Sequence, residues 1–376
     1  MKKLIEKLTK NNLLLFILIF IAAGAFYSFR LGFSDLWSDE IYTKSMLDGS
    51  WSDFIAGFKN DLHPPLYYLG LRLFTGLAGV SPVSLRLFSV LGVLSAILLG
   101  YFAGQRIFGK QGALYFCLML ISIPMLAAYS HQARMYTWAA FSVTGVFIYS
   151  YLFMRTGKNR DLVFLFLFTV IAMYIHYYSM AAAFVANIFV FFYLVLTKNR
   201  KWLPHMFSLL LAALAFLPWI FLFVVQIKKV QHSFWAPEVN FNGFISCFTI
   251  PFTEQFWTSG LSIALTVLFY CLIAITILMS FTKSMSDWRL ALWLSLSVFV
   301  GTLLLVTVIS LFSQPILSTR YVMAIVTMLA VAPAILFIRM KTEWLKIVLI
   351  SVLVFLGVRT SISNFGFSYG PYKQTI

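Results

Sequence analysis

Asp39 and Glu40 are adjacent carboxylates in Leu36-Trp37-Ser38-Asp39-Glu40-Ile41-Tyr42, a stretch with the pattern of a short helix. Ser38 is suited to cap a helix beginning at Asp39, with Trp37 and Ile41 on one side. An acid in a first helical turn is stabilised as the carboxylate, the form that can take a proton from a hydroxyl. The same acid could do no more than stabilise its helix, and spacing alone does not choose. His63, in Leu62-His63-Pro64-Pro65-Leu66, could donate to a phosphate or ligate a metal; it could also simply precede a proline-started helix. Arg72, Arg86, Arg134 and Arg320 lie at the ends of apolar runs. For Arg72 and Arg86 the better reading is a stem lying in the membrane interface with its head in water. Arg134 stands in the polar turn from Tyr129 to Tyr136, and Arg320 in Ser318-Thr319-Arg320-Tyr321. A guanidinium fixed at such a turn beside aromatics is a natural clamp for a phosphate. Tyr67, Tyr136, His176 and Tyr177 are candidate substrate contacts, with an interfacial aromatic belt as the plain alternative for His176-Tyr177-Tyr178. Asp39, His131 and His176 could together hold a divalent ion, but no ligand-spacing motif supports it, and no metal ligand is assigned.

The elements that position these residues follow from composition. Of 376 residues, 61% are hydrophobic and 11% are charged, with a mean hydropathy of +0.90. A soluble domain is nearer 45–50% apolar and about 25% charged, so the bilayer has to be the solvent. Apolar runs able to cross a core of about 30 Å occur near 12–30, 86–105, 112–130, 135–153, 162–178, 179–197, 206–225, 260–281, 290–312, 322–339 and 346–364. The expected fold is therefore an all-α polytopic membrane protein of about 11 transmembrane helices, forming one transmembrane domain over 1–376. Lys2, Lys3, Lys7 and Lys10 precede the first run, which reads as a retained anchor although Ala22-Ala23-Gly24-Ala25 is small enough to mimic a cleavage site.

A net charge of +16 would suggest nucleic acid in a soluble protein. Here most Lys and Arg fill short gaps between the runs, as the positive-inside rule requires. No nucleic-acid motif opposes that reading, and no nucleic-acid partner is expected. With the N-terminus cytoplasmic, an odd number of spans puts the C-terminus outside a plasma (inner) membrane. The acids lie opposite: Asp35, Asp39, Glu40, Asp48, Asp53 and Asp61 all fall in one outer loop, 31–85. That loop is too long and too patterned for a linker. Pro64-Pro65 suits the start of a second helix, Leu66 to Phe74, lying in the interface. A further outer loop, 226–259, carries Lys228, Lys229, Trp235, Pro237, Glu238 and Trp257. Three scattered cysteines define neither a disulfide framework nor a metal site.

Set in order, these pieces resemble the GT-C membrane glycosyltransferases, in the bacterial branch related to protein O-mannosyltransferases and lipid A aminoarabinose transferases (glycosyltransferase family 39-like). Leu36–Tyr42 is similar to the family's acidic motif, Leu62–Tyr68 to its proline-proline motif, and Leu85-Arg86-Leu87-Phe88 to the arginine that opens its second span. Ala133-Arg134-Met135-Tyr136, Leu217-Pro218-Trp219 and Thr319-Arg320-Tyr321 match later features. The resemblance implies a polyprenyl-phosphate sugar donor, and transfer on the outer face to a hydroxyl of a protein, lipid or glycan acceptor. It implies Asp39 as the base, with Glu40 its neighbour, and places donor-phosphate binding on His63. A single base and direct displacement give inversion. Several relatives carry a second acid in the next outer loop; residues 129–136 contain none, which leaves that role unfilled. The large C-terminal domain of many relatives is also missing. The rival reading is a multispan transporter or lipid flippase. Such proteins usually place ionisable groups near the midplane, whereas here the runs read as clean in their middles and the acids crowd one loop.

Overall fold

The computed structural model describes residues 11–233, 240–253 and 259–365. Trp235, Pro237, Glu238 and Trp257 of the second outer loop lie outside the described residues, as does Glu254. The chain runs α1 (Asn12–Ser28), α2 (Ser38–Ser45), α3 (Trp51–Gly57), α4 (Leu66–Ala78), α5 (Pro82–Phe102), α6 (Gln105–Ile121), α7 (Pro124–Ser130) and α8 (Tyr136–Thr156). It continues through α9 (Asn159–Ile175), α10 (Tyr177–Leu196), α11 (Trp202–Ser233), α12 (Phe241–Thr249), α13 (Gly260–Ser280) and α14 (Arg289–Phe312). Two 3-10 turns, Thr319–Ala324 and Val326–Ala330, lead into α15 (Val331–Arg339) and α16 (Glu343–Asn364). Among the described residues there is no strand. The fold is the expected all-α polytopic one.

Seven of the eleven apolar runs form helices long and apolar enough to cross a membrane: α5, α8, α10, α11, α13, α14 and α16. The run at 112–130 is broken: α6 and α7 meet at a 64° bend. Pro124 opens α7, and its ring and missing N–H prevent α6 from continuing through it. Gly357 of α16 crosses this bend so closely that a Cβ there would collide with the Ser122 carbonyl oxygen. The runs at 12–30 and 162–178 form helices of 17 residues each. The run at 322–339 is the clearest departure, because its first half winds as 3-10 turns rather than as one α-helix.

The molecule is built around α8, in which 17 of 21 residues are buried within the chain. It packs on α5, α9 and α10. Gly92 of α5 allows a close approach, since a Cβ there would meet Thr137 Oγ1 at 2.6 Å and the Trp138 backbone nitrogen at 3.0 Å. Beyond the far end of α8, Arg106 grips Asp161 through two 2.7 Å hydrogen bonds. Within the spans several polar contacts depart from the expected clean middles, among them Thr144 Oγ1 of α8 donating to Thr327 Oγ1 at 2.9 Å. The Asn187 amide of α10 donates to Thr169 Oγ1 of α9 at 3.1 Å, and the His205 ring of α11 lies 3.2 Å from the Asn187 carbonyl.

The segment before α5 folds back over the bundle end that carries the 131–135 turn. Its organiser is Arg86, near the start of α5. Nε donates to Glu40 Oε1 at 2.9 Å and Nη2 to Glu40 Oε2 at 2.7 Å. The remaining donors reach the carbonyls of Leu31, Ser34 and Asp35 at 2.7, 2.9 and 2.9 Å. A guanidinium has five N–H donors, and this one uses all of them inside the protein. Arg86 is 3% exposed and Glu40 0% exposed, so the expected interfacial placement of Arg86 is corrected: its head is buried in a bidentate ion pair. Arg72 is also tied inward. It donates to the Leu47 and Gly49 carbonyls at 2.9 and 2.8 Å and lies over the Trp51 and Phe54 rings, which fixes α3.

Removing one member of a buried ion pair leaves an uncompensated charge and typically costs about 3–5 kcal/mol. Arg86→Met should lower the thermal unfolding midpoint of the purified protein accordingly, and Arg86→Met/Glu40→Met should recover part of the loss. A single variant as stable as the wild type would contradict this account of the loop.

Candidate functional site

The proposed acidic pair is split by its own helix. The helix starts one residue earlier than expected, with Trp37 rather than Ser38 at the cap position. The Trp37 N–H is taken by Glu40 Oε2 at 3.3 Å, so the cap is supplied from within the first turn. Glu40 also accepts the Ala133 N–H at 2.8 Å. With the Arg86 fork, its carboxylate oxygens are fully engaged, and it ties α2 to α5 and to the 131–135 turn. Asp39 points the other way. It is 30% exposed and accepts from Arg320 Nη1 at 3.1 Å. Thr43 keeps α2 in line, donating to the Asp39 carbonyl at 2.9 Å and accepting from Arg134 Nη1 at 3.3 Å.

Arg320 is delivered by a pinned loop. Ser310 Oγ accepts the Ile316 and Leu317 N–H groups at 3.1 and 3.0 Å. The Tyr178 hydroxyl donates to the Ile316 carbonyl and accepts the Ser318 N–H. The 3-10 turn that follows sets Arg320 beside Asp39 and Tyr321 against His176 and Tyr178.

Behind this half-exposed pair lies a buried cation. Arg134 is 4% exposed, and among the described residues no carboxylate reaches its guanidinium within ion-pair distance. Its neighbours are neutral or ambivalent. Thr43 Oγ1 is at 3.3 Å, the Tyr68 hydroxyl at 3.4 Å and His63 Nε2 at 3.5 Å from Nη2. Its Nε has no hydrogen-bond partner, nor has the buried Tyr67 hydroxyl. A permanent cation held this way is costly unless an anion comes to it.

His63 faces Arg134 on one side and Asp61 on the other, with Nδ1 3.1 Å from Asp61 Oδ1. Burial opposes a charge on Asp61, but His63, Arg134 and the Leu62 N–H outweigh it and hold the carboxyl below the usual carboxylate range. His176 lies 5.6 Å from His63 between ring centres and packs on Tyr136, Tyr178 and Tyr321. Its burial, with the charges of His63 and Arg134, pushes its titration well below the usual histidine range. The neutral ring accepts the Tyr178 N–H on Nδ1 at 3.1 Å, which places its proton on Nε2.

The structure thus brings Asp39, Arg320, Arg134, His63, Tyr136 and His176 into one cluster, with Tyr67 and Tyr68 beneath. Tyr177 is turned away: its hydroxyl is used by Gln226 and Trp219, which join α10 to α11. His131 is also elsewhere, stacked on Phe365 at 4.2 Å with Nε2 3.0 Å from the Tyr27 carbonyl. The divalent-ion set of Asp39, His131 and His176 is therefore not assembled, and among the described residues no three His, Cys, Asp or Glu side chains are grouped to hold a metal. Asp61 was missed as a site residue. A signal was present in Asp61-Leu62-His63-Pro64: a residue before proline is biased to extended backbone, where positions two apart share a side.

Residues 62–222 match the family model described as dolichyl-phosphate-mannose-protein mannosyltransferase. No curated protein matches the chain in sequence. In fold the chain is similar to ArnT from Cupriavidus metallidurans, solved bound to undecaprenyl phosphate, with a TM-score of 0.63 and 13% identity over 89% of this chain and 62% of that one. The apo structure of that protein gives 0.64 and 14%, over 88% and 60%. This chain spans about three fifths of the length of those structures. The chain shares the polytopic helical fold of those structures.

Burial, helped by the Arg86 charge, pushes the His131 imidazole down to about 4, from about 6.5 in the unfolded chain. Between those values the unfolded chain binds the proton more readily, so stability should fall as pH drops through that window. His131→Gln should flatten this part of the stability curve, as followed by thermal unfolding at successive pH values; an unchanged slope would show that His131 is not its source.

Proposed function

We propose that this chain is a membrane glycosyltransferase. It moves a sugar from a polyprenyl-phosphate donor to an acceptor hydroxyl at the outer face of the inner membrane, with inversion. The observation that carries the reading is the buried, carboxylate-free Arg134 with His63, next to an aspartate that is half-exposed. An anion site and a base then stand side by side at one end of an apolar bundle. The matched family and the solved ArnT complex are both named for polyprenyl-phosphate chemistry, which supports the same class of donor. The outer-face assignment rests on the cations filling the opposite loops.

In this reading the lipid tail lies among the helices, and its phosphate is held by Arg134, Arg320 and His63. Preorganised cations in a water-poor site stabilise the charge that develops on a departing phosphate. Asp39 takes the proton of the acceptor hydroxyl as its oxygen attacks the anomeric carbon from the face opposite the phosphate. Arg320 keeps Asp39 turned toward the acceptor side, while Glu40 holds α2 in place and takes no proton. Tyr136, His176 and Tyr67 line the sugar and phosphate space, while Tyr177 of α10 is turned away to Gln226 and Trp219 of α11. The sugar is a hexose or pentose, and the acceptor a protein, lipid or glycan.

The test is reconstitution in liposomes with labelled polyprenyl-phosphate sugars and a membrane extract as the source of acceptor. Label should move to an acceptor with wild-type protein. Asp39→Asn should reduce the rate by about 10²-fold or more while inserting normally. No transfer with any donor, or full activity in Asp39→Asn, would remove the assignment.

A further inference from the structure

The lysine or arginine that would suffice to hold a phosphate is not what stands in the proline-proline segment; a histidine backed by a buried carboxylate stands there. Asp61 is 3% exposed. Its Oδ1 takes the Leu62 N–H at 2.8 Å and lies 3.1 Å from His63 Nδ1, while Oδ2 has no hydrogen-bond partner. A carboxylate on Nδ1 fixes the ring's tautomer and its plane, and so leaves the exchangeable proton on Nε2. That nitrogen faces Arg134 Nη2 at 3.5 Å, with the His176 ring behind it. When His63 is protonated, two cationic donors converge there, and an anionic oxygen satisfies both donors and both charges. The charged and titratable groups around His63 come from separate elements. Asp61 shares its loop, Arg134 comes from the turn before α8, His176 from the break between α9 and α10, and Tyr42 of α2 lies close to Asp61.

We propose that Asp61 and His63 form a dyad that delivers a proton to the departing lipid phosphate, with His63 the donor and Asp61 its positioning residue. This rests on the glycosyltransferase reading above. The bond between the anomeric carbon and the bridging phosphate oxygen breaks, and its electron pair stays on that oxygen. The proton on His63 Nε2 passes to the phosphate, which leaves as a polyprenyl monophosphate monoanion. A new bond forms from the anomeric carbon to the acceptor oxygen, whose proton goes to Asp39. Protonated Asp39 and neutral His63 return to their starting forms by exchange with solvent. The dyad also fills the second-acid role that residues 129–136 leave open.

The decisive variant keeps the charge and removes the transferable proton. His63→Arg, together with Asp61→Asn and Asp61→Glu, is assayed in liposomes for transfer at saturating donor and, separately, for equilibrium binding of polyprenyl monophosphate. His63→Arg should bind the monophosphate as well as wild type, which also reports an intact fold, and should transfer about 10²-fold more slowly. Asp61→Asn should lose about 10-fold in turnover with little change in donor KM, and Asp61→Glu should restore part of it. Near wild-type turnover in His63→Arg, or equal turnover in Asp61→Asn and wild type, overturns the dyad and leaves the glycosyltransferase reading standing. Absence of transfer by the wild-type protein overturns both.

Discussion

The Arg86–Glu40 pair is the constraint on which the rest of the site depends. A guanidinium with all five donors engaged and a carboxylate with no accessible surface have one geometry available to them. Through that geometry α5, α2, the 31–35 segment and the Ala133 turn are fixed relative to one another. Asp39 is placed because Glu40 is locked, and Arg134 is placed because Ala133 is. Adjacent acids thus serve opposite ends: one is surrendered to structure so that its neighbour can be presented toward solvent. The low dielectric that makes such a pair costly to bury also makes it costly to disrupt.

The second feature is a deliberate imbalance. Buried Arg86 and the more exposed Arg106 are each matched by a buried carboxylate with short, bidentate contacts, whereas Arg134 has only long contacts, to Thr43, Tyr68 and His63. Among the described residues the other buried charged side chains each lie within ion-pair distance of an ionisable partner, and the unmatched one is arranged for an anion supplied from elsewhere. The surrounding rings of Tyr68, Tyr136, Tyr321 and His176 exclude water while adding no competing negative charge.

Much of this was legible in the sequence. The all-α membrane fold followed from hydropathy, and seven of the runs became full-length helices. Arg134, Arg320, His63 and Asp39 were read as one functional set, and they do meet. What was not legible depends on contacts distant in sequence. Arg86 reads as an interfacial residue until Glu40, 46 positions away, is seen to need it. Tyr177 and His176 are neighbours in sequence, but an extended residue at 176 turns their side chains to different partners. The 3-10 winding after Arg320 gives no compositional signal, because apolar residues fill an α-helix and a 3-10 turn alike. Asp61 was readable locally through the proline after His63, and was passed over because it looked like one more acid in an acidic loop.

The central claim is that this end of the bundle takes a lipid phosphate on Arg134. The most direct measurement is a structure of the full chain in lipid nanodiscs with polyprenyl monophosphate added. The account predicts the phosphate within hydrogen-bonding distance of both Arg134 and His63, beside Asp39. A phosphate held elsewhere, with the Arg134 guanidinium untouched, would contradict it.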